Sequence, residues 1–119
     1  MGVQYPGSDS KPDAMQAFVQ HVISSRYENL SEQAVESTKI FILDSLGVMI
    51  SGTLAPGVIE TLQALRYWGG RKESTILVFG DKLPAHSAAM MNSFMLHNQE
   101  FDCVHDQAVL HPFTTVLPV

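Results

Sequence analysis

The sequence predicts a mainly α fold of about four to five helices with one short extended segment. Three observations carry this expectation. Apolar residues recur at helical spacing in four stretches, and start and stop signals frame those stretches. Only one six-residue run, STILVF at 74–79, has β character.

Residues 1–12 carry Gly, Ser, Pro and charge without periodicity and are expected to form a disordered arm. The first helix is expected from Asp13, an N-cap, to about Arg26, because Ala14, Ala17, Phe18, Val22 and Ile23 fall at helical spacing. The next start signal is stronger. Ser31 can cap, Glu32 sits in the first turn, and Leu30 and Val35 have the spacing of a hydrophobic staple. Up to Lys39 this second helix is amphipathic; from Ile40 it reads IFILDSLGVMI, apolar nearly all round, until Gly52 supplies a C′ stop. Such a segment is either a central helix surrounded by others or an interface. Gly47 inside it costs about 1 kcal/mol against Ala, which a close helix crossing would explain. Asp44, the polar exception, is expected to bond to a neighbouring group.

Pro56 and Gly57 open a third helix carrying Val58, Leu62, Leu65 and Trp68, and Gly69-Gly70 end it. The extended run at 74–79 is closed by a Gly80-Asp81 turn. Pro84 is placed as the first residue of a fourth helix, AHSAAMMNSFMLHN. Its small residues permit close packing, and Met90, Met91 and Met95 read as adaptable core filling. Pro112 can start a fifth helix.

A chain of 119 residues has the size of one domain. Charged residues make up 16% of it, against about 25% in ordinary soluble domains. That deficit, the all-round apolar helix and the apolar ending TTVLPV suggest that residues 13–119 are part of a larger helical domain, whose interior would cover much of this surface. The net charge of −5 and the lack of any basic stripe beyond Arg71-Lys72 and Lys82 argue against nucleic acid or an anionic membrane as partner. The lone Cys103 cannot form an internal disulfide, MGVQYPGSDSKP has no leader-like pattern, and no apolar run is long enough to span a bilayer. The expectation is a soluble, cytoplasmic protein.

Chemistry-bearing residues concentrate in HNQEFDCVHDQAVLHP, which holds His97, Glu100, Asp102, Cys103, His105, Asp106 and His111. His97 falls near the fourth helix's C-terminus, where the helix dipole favours the protonated ring, and a structural role suffices for it. His111 precedes Pro112, which pushes it into an extended conformation beside a helix start, a suitable place for an acid/base group. Cys103 reads as a small buried hydrophobe rather than a nucleophile. His97, Glu100, Asp102, His105 and His111 are also metal-ligand types, but their spacings match no zinc motif, so no metal is expected. His21, Asp44, Arg71 and Lys72 are assigned to solvation or packing.

The pattern Asp44-Ser45-Leu46-Gly47, then Leu83-Pro84-Ala85, then His97-x-x-Glu100-Phe101-Asp102-x-x-His105-x5-His111-Pro112 resembles the N-terminal part of the MmgE/PrpD family. The resemblance runs from about Phe18 to Val119. Where that family carries Asp-Phe-Asp-Asp-Thr-His, this chain has Glu100 for the first Asp, Cys103 for the third and Val104 for the Thr. The resemblance implies the N-terminal part of an all-helical domain belonging to a lyase. Such an enzyme acts on a small polycarboxylate of the 2-methylcitrate kind, by acid/base proton transfer next to a carboxylate and with no cofactor. It implies His111 as the acid/base group, with Asp102 and His105 completing the catalytic set and Glu100 on the substrate-binding side. The expected partner is a further copy in a homo-oligomer, such as a homodimer, or a missing C-terminal portion, so that the 119 residues alone would be inactive. Two other classes remain as alternatives: a catalytically silent helical fragment or interaction module, and a metal-dependent enzyme.

Overall fold

A computed structural model describes residues 13–119; the arm expected at 1–12 lies outside the described residues. The elements are α1 (Ala14–Ser24), a 3-10 turn (Tyr27–Asn29), α2 (Glu32–Gly52), α3 (Val58–Trp68), β1 (Ser74–Thr75), β2 (Lys82–Leu83), α4 (Ala85–His97) and α5 (Pro112–Val116). The fold is mainly helical, with one two-stranded antiparallel sheet. Its contacts divide into a unit ending at Ala34 and a unit from Val35 to Val119.

In the first unit, the Asp13 carboxylate caps α1 by accepting the Met15 N–H at 3.0 Å. The far end is closed by the hydroxyls of Ser24 and Ser25, each 2.6 Å from a carbonyl one turn back, and by Arg26 on the Ile23 carbonyl. The Arg26 bond satisfies a carbonyl that the helix itself cannot, and α1 stops two residues before the expected Arg26. The helix buries no residue; Phe18 and Val22 are exposed. Ser31 caps α2 as expected, accepting the Ala34 N–H at 3.1 Å.

The core of the second unit is built from Met49, Val58, Leu62, Leu65, Ile76, Leu83, Ala88, Met91, Met95 and Leu96. α3 contributes Val58, Leu62 and Leu65, one stripe at i, i+4 and i+7. α4 buries residues along its whole length, among them the expected Met91 and Met95; Met90 is half exposed. α2 contributes less than its sequence promises. It buries only Ser45, Met49 and Gly52, and leaves Ile40, Leu43 and Ile50 exposed.

Several local expectations need correction. Gly47 faces open space, with nothing near a Cβ added there; the close crossing is at Gly52, where that Cβ would run into the Met95 backbone. Gly52 is accordingly the last helical residue rather than a stop beyond it. Asp44 is exposed, and among the described residues it bonds to none. Trp68 is exposed at the end of α3. The extended run shortens to Ser74-Thr75, paired with Leu83 and Lys82, because the chain turns as soon as Ile76 is buried. Val78 adopts φ 69° in that turn, and the Gly80 N–H closes onto the Ile76 carbonyl at 2.9 Å. Asn92 of α4, itself buried, accepts the Leu77 N–H at 2.9 Å and donates to the Thr75 carbonyl at 3.1 Å, fastening the hairpin to the helix. Arg66 of α3 grips Asp81 with two bonds of 2.7 and 2.6 Å on the other side. Pro84 stands one position outside α4, as its N-cap. No helix among the described residues is long and apolar enough to cross a membrane.

Candidate active site

The site begins where α4 ends. His97 is the last residue of that helix, and Asn98 continues in helical conformation before the chain reverses. Glu100 makes the reversal: its φ is +54°, and its N–H bonds the His97 carbonyl at 2.9 Å. The turn brings Asp102 back beneath the end of α4. On the α2 side the end of α4 is fixed by Asn98, which donates to the Gly52 carbonyl at 2.9 Å, and by Ser51, which donates to Gln99 Oε1 at 2.7 Å.

From Asp102 the chain makes a second excursion and returns. The His105 N–H bonds the Leu110 carbonyl at 2.8 Å, the one bridge across this loop. The Ala108 N–H bonds both the His105 carbonyl and the His105 Nδ1, each at 3.1 Å. Val109, at φ +50°, turns the chain back. His111 then stands at the N-cap of α5 with φ −104° and ψ 89°, held out of the helix by Pro112 as its sequence predicts. Ser93 of α4 ties α5 down by donating to the Thr114 carbonyl at 3.0 Å. Phe41 and Phe113 stack at 5.4 Å on the same region.

These two turns converge on one carboxylate. The Asp102 side chain is fully buried, whereas those of His97 and His111 are 43% and 30% exposed. Oδ1 lies 3.1 Å from His97 Nδ1, and Oδ2 lies 3.0 Å from His111 Nδ1. Oδ2 also accepts the Thr114 hydroxyl. The two imidazoles meet edge to face with centroids 4.6 Å apart. Burial pushes the Asp102 pKa up, but the bonds from Thr114 and His97 and the charges of His97 and His111 outweigh it. The carboxyl therefore stays below its ordinary range. An ionised carboxylate only accepts, so both imidazoles donate Nδ1–H to it, and each keeps Nε2 for other work. This is the arrangement in which a buried carboxylate fixes the tautomer of a catalytic histidine.

Of the four residues selected from the sequence, this geometry joins Asp102 and His111. His105 is exposed and serves its own loop, and Glu100 is an exposed carboxylate in the reversal with no partner among the described residues. The cluster adds two residues the sequence reading passed over. Sequence alone assigns His97 a structural role, and its five-residue separation from Asp102 across a helix end is the available signal. Thr114 had no signal, because its partner depends on where α5 begins. Cys103 is half-buried and free. His97, Asp102 and His111 could also hold a metal ion, each offering a ligand atom within 4.8 Å of the others. The carboxylate already receives three hydrogen bonds, so the cluster is satisfied as a purely hydrogen-bonded unit.

The model of the MmgE/PrpD N-terminal domain matches residues 16–119. The chain belongs to the MmgE/PrpD family. Among its curated relatives is a cis-aconitate decarboxylase of Aspergillus terreus, 29% identical over 91 residues, or 76% of this chain and 19% of that protein. Another is the cis-aconitate decarboxylase of Mus musculus, 30% identical over 105 residues, or 87% of this chain and 21% of that protein. The chain thus spans about a fifth of the length of these relatives. No solved structure matches it. Within this MmgE/PrpD chain, the whole His97–Asp102–His111–Thr114 cluster falls inside the matched region.

Proposed function

We propose that the chain is the N-terminal part of a lyase that acts on a small polycarboxylate without metal or organic cofactor, using His111 for proton transfer next to a carboxylate. One observation carries the reading: a fully buried carboxylate, Asp102, receives the Nδ1 side of a partly exposed histidine, His111, at 3.0 Å. That bond keeps Nε2 as the working atom and stabilises the imidazolium when it forms. The names of the relatives support decarboxylation of a cis-aconitate-like substrate; dehydration of a 2-methylcitrate-like substrate uses the same acid/base group. In the decarboxylation, the C–CO2 bond pair becomes a new C=C bond and carbon dioxide leaves. The displaced alkene pair takes a proton from His111 Nε2. Cations must hold the substrate carboxylates, and Glu100 orients one of them from its exposed position. His105 acts through the loop that returns His111 to Asp102.

The test is an assay of the full-length protein on cis-aconitate and on 2-methylcitrate, following carbon dioxide and water loss separately. His111→Ala should lower kcat about a hundredfold or more. Glu100→Gln should raise KM several-fold and leave kcat near that of the unmodified protein. Turnover that survives His111→Ala unchanged, or a full-length protein inert on both substrates, overturns the proposal.

A further inference from the structure

We infer that His97 is a second proton-transfer group of this centre, working through Nε2 while Asp102 holds its Nδ1. The inference rests on the lyase reading above and assigns a role to a residue that reading does not use. His97 and His111 are placed almost symmetrically about Asp102. Each puts Nδ1 on a different carboxylate oxygen, at 3.1 and 3.0 Å, and each remains partly exposed while the carboxylate is not. A histidine that only capped α4 would need no such partner, since its ring could satisfy itself in water at the helix end. The groups against the His97 ring are Asp102, which it bonds, and His111, which it meets edge to face.

Two rings on one carboxylate supply what an elimination of water requires, a base and an acid together. His111, as neutral imidazole, takes the proton next to a substrate carboxylate at Nε2, and the C–H pair becomes the C=C bond. The C–O bond breaks, its electron pair leaves with the hydroxyl, and the hydroxyl takes the Nε2 proton of the His97 imidazolium and departs as water. One ring gains a proton and the other loses one, so the charge of the pair is unchanged after the step. Asp102 stays ionised throughout and keeps both Nδ1–H bonds, whichever ring is positive.

The experiment separates this role from a structural one by comparing two variants of the full-length protein on whichever polycarboxylate it turns over. In His97→Asn the amide nitrogen stands near the place of Nδ1 and can still donate to Asp102, but nothing replaces Nε2. His97→Ala removes both. A proton-transfer role predicts that both variants lose kcat by about a hundredfold or more with KM within a few-fold. It also predicts that the kcat pH profile of His97→Asn differs in shape from that of the unmodified enzyme, and that nitrogen NMR of the unmodified protein finds both neutral rings as Nδ1–H tautomers. His97→Asn matching the unmodified enzyme in rate and pH profile, or an Nε2–H tautomer at His97, overturns the inference and leaves the lyase reading standing. A full-length protein inert on every polycarboxylate overturns both.

Discussion

At Asp102 both carboxylate oxygens are occupied, Oδ1 by one imidazole and Oδ2 by another together with a hydroxyl. Removing the smallest donor tests how much that arrangement matters. Thr114→Val should lower stability by about 1–2 kcal/mol at neutral pH, measured by urea unfolding, because a buried carboxylate loses one of its donors. Thr114 helps hold the Asp102 pKa below its ordinary value, so the stability from this bond is present above about pH 4 and is lost as the carboxyl protonates. The deficit of Thr114→Val should therefore shrink in acid. The sequence made half of this cluster legible. The family resemblance makes Asp102 and His111 legible, and His111 has a second signal because proline restricts the residue before it. His97 was discounted because the end of a helix already accounts for a histidine. The resemblance favours His105, and sequence cannot show that its ring is spent on the Ala108 N–H.

Between elements, α2 and α4 approach each other most tightly at Gly52. Gly52→Ala would drive a methyl group into the Met95 backbone and should cost about 1–3 kcal/mol or more, seen as a lower Tm. Gly47→Ala, five residues earlier in the same helix, meets nothing within 4 Å and should stabilise by up to about 1 kcal/mol. The pair is informative because sequence alone assigned the close approach to the wrong glycine. Both glycines satisfy the same helical pattern, and only the position of α4 distinguishes them. Helix starts were readable where a side chain caps them, as at Asp13 and Ser31. The hairpin was half visible. A two-residue strand such as Lys82-Leu83 is too short to alternate, and its existence depends on Asn92 reaching across from α4. Asn92→Ala should cost about 1–3 kcal/mol by stranding the Leu77 N–H and the Thr75 carbonyl.

Over the described chain, polar and apolar surfaces are unevenly distributed, and the low charge content has a visible counterpart. Ile40, Leu43 and Ile50 of α2 are more than half exposed. Leu43→Lys should therefore shift the stability of the 119-residue chain by no more than about 0.5 kcal/mol. Met49→Ala, one helix turn and a half further on and fully buried, should cost about 2–5 kcal/mol. Acid sensitivity is a second property of the whole. The Arg66 bonds hold the Asp81 pKa below its ordinary range against an opposing effect of burial, and Asp102 is lowered as well. Both contribute stability that is present above about pH 4 and lost on acidification. Asp81→Asn should flatten the fall in stability between neutral pH and about pH 3, as measured by chemical unfolding at each pH.

The bonds that build the cluster join residues only 5, 9 and 12 positions apart, whereas those seating the end of α4 against α2 span 46 and 48. Closing a loop costs more entropy the longer it is, by about 0.6 kcal/mol for each doubling. The four-residue cluster can thus assemble during folding as a local event around one helix end, ahead of the docking of α2. Its timing is set by the 97–114 segment itself, and its anchorage by the rest of the chain.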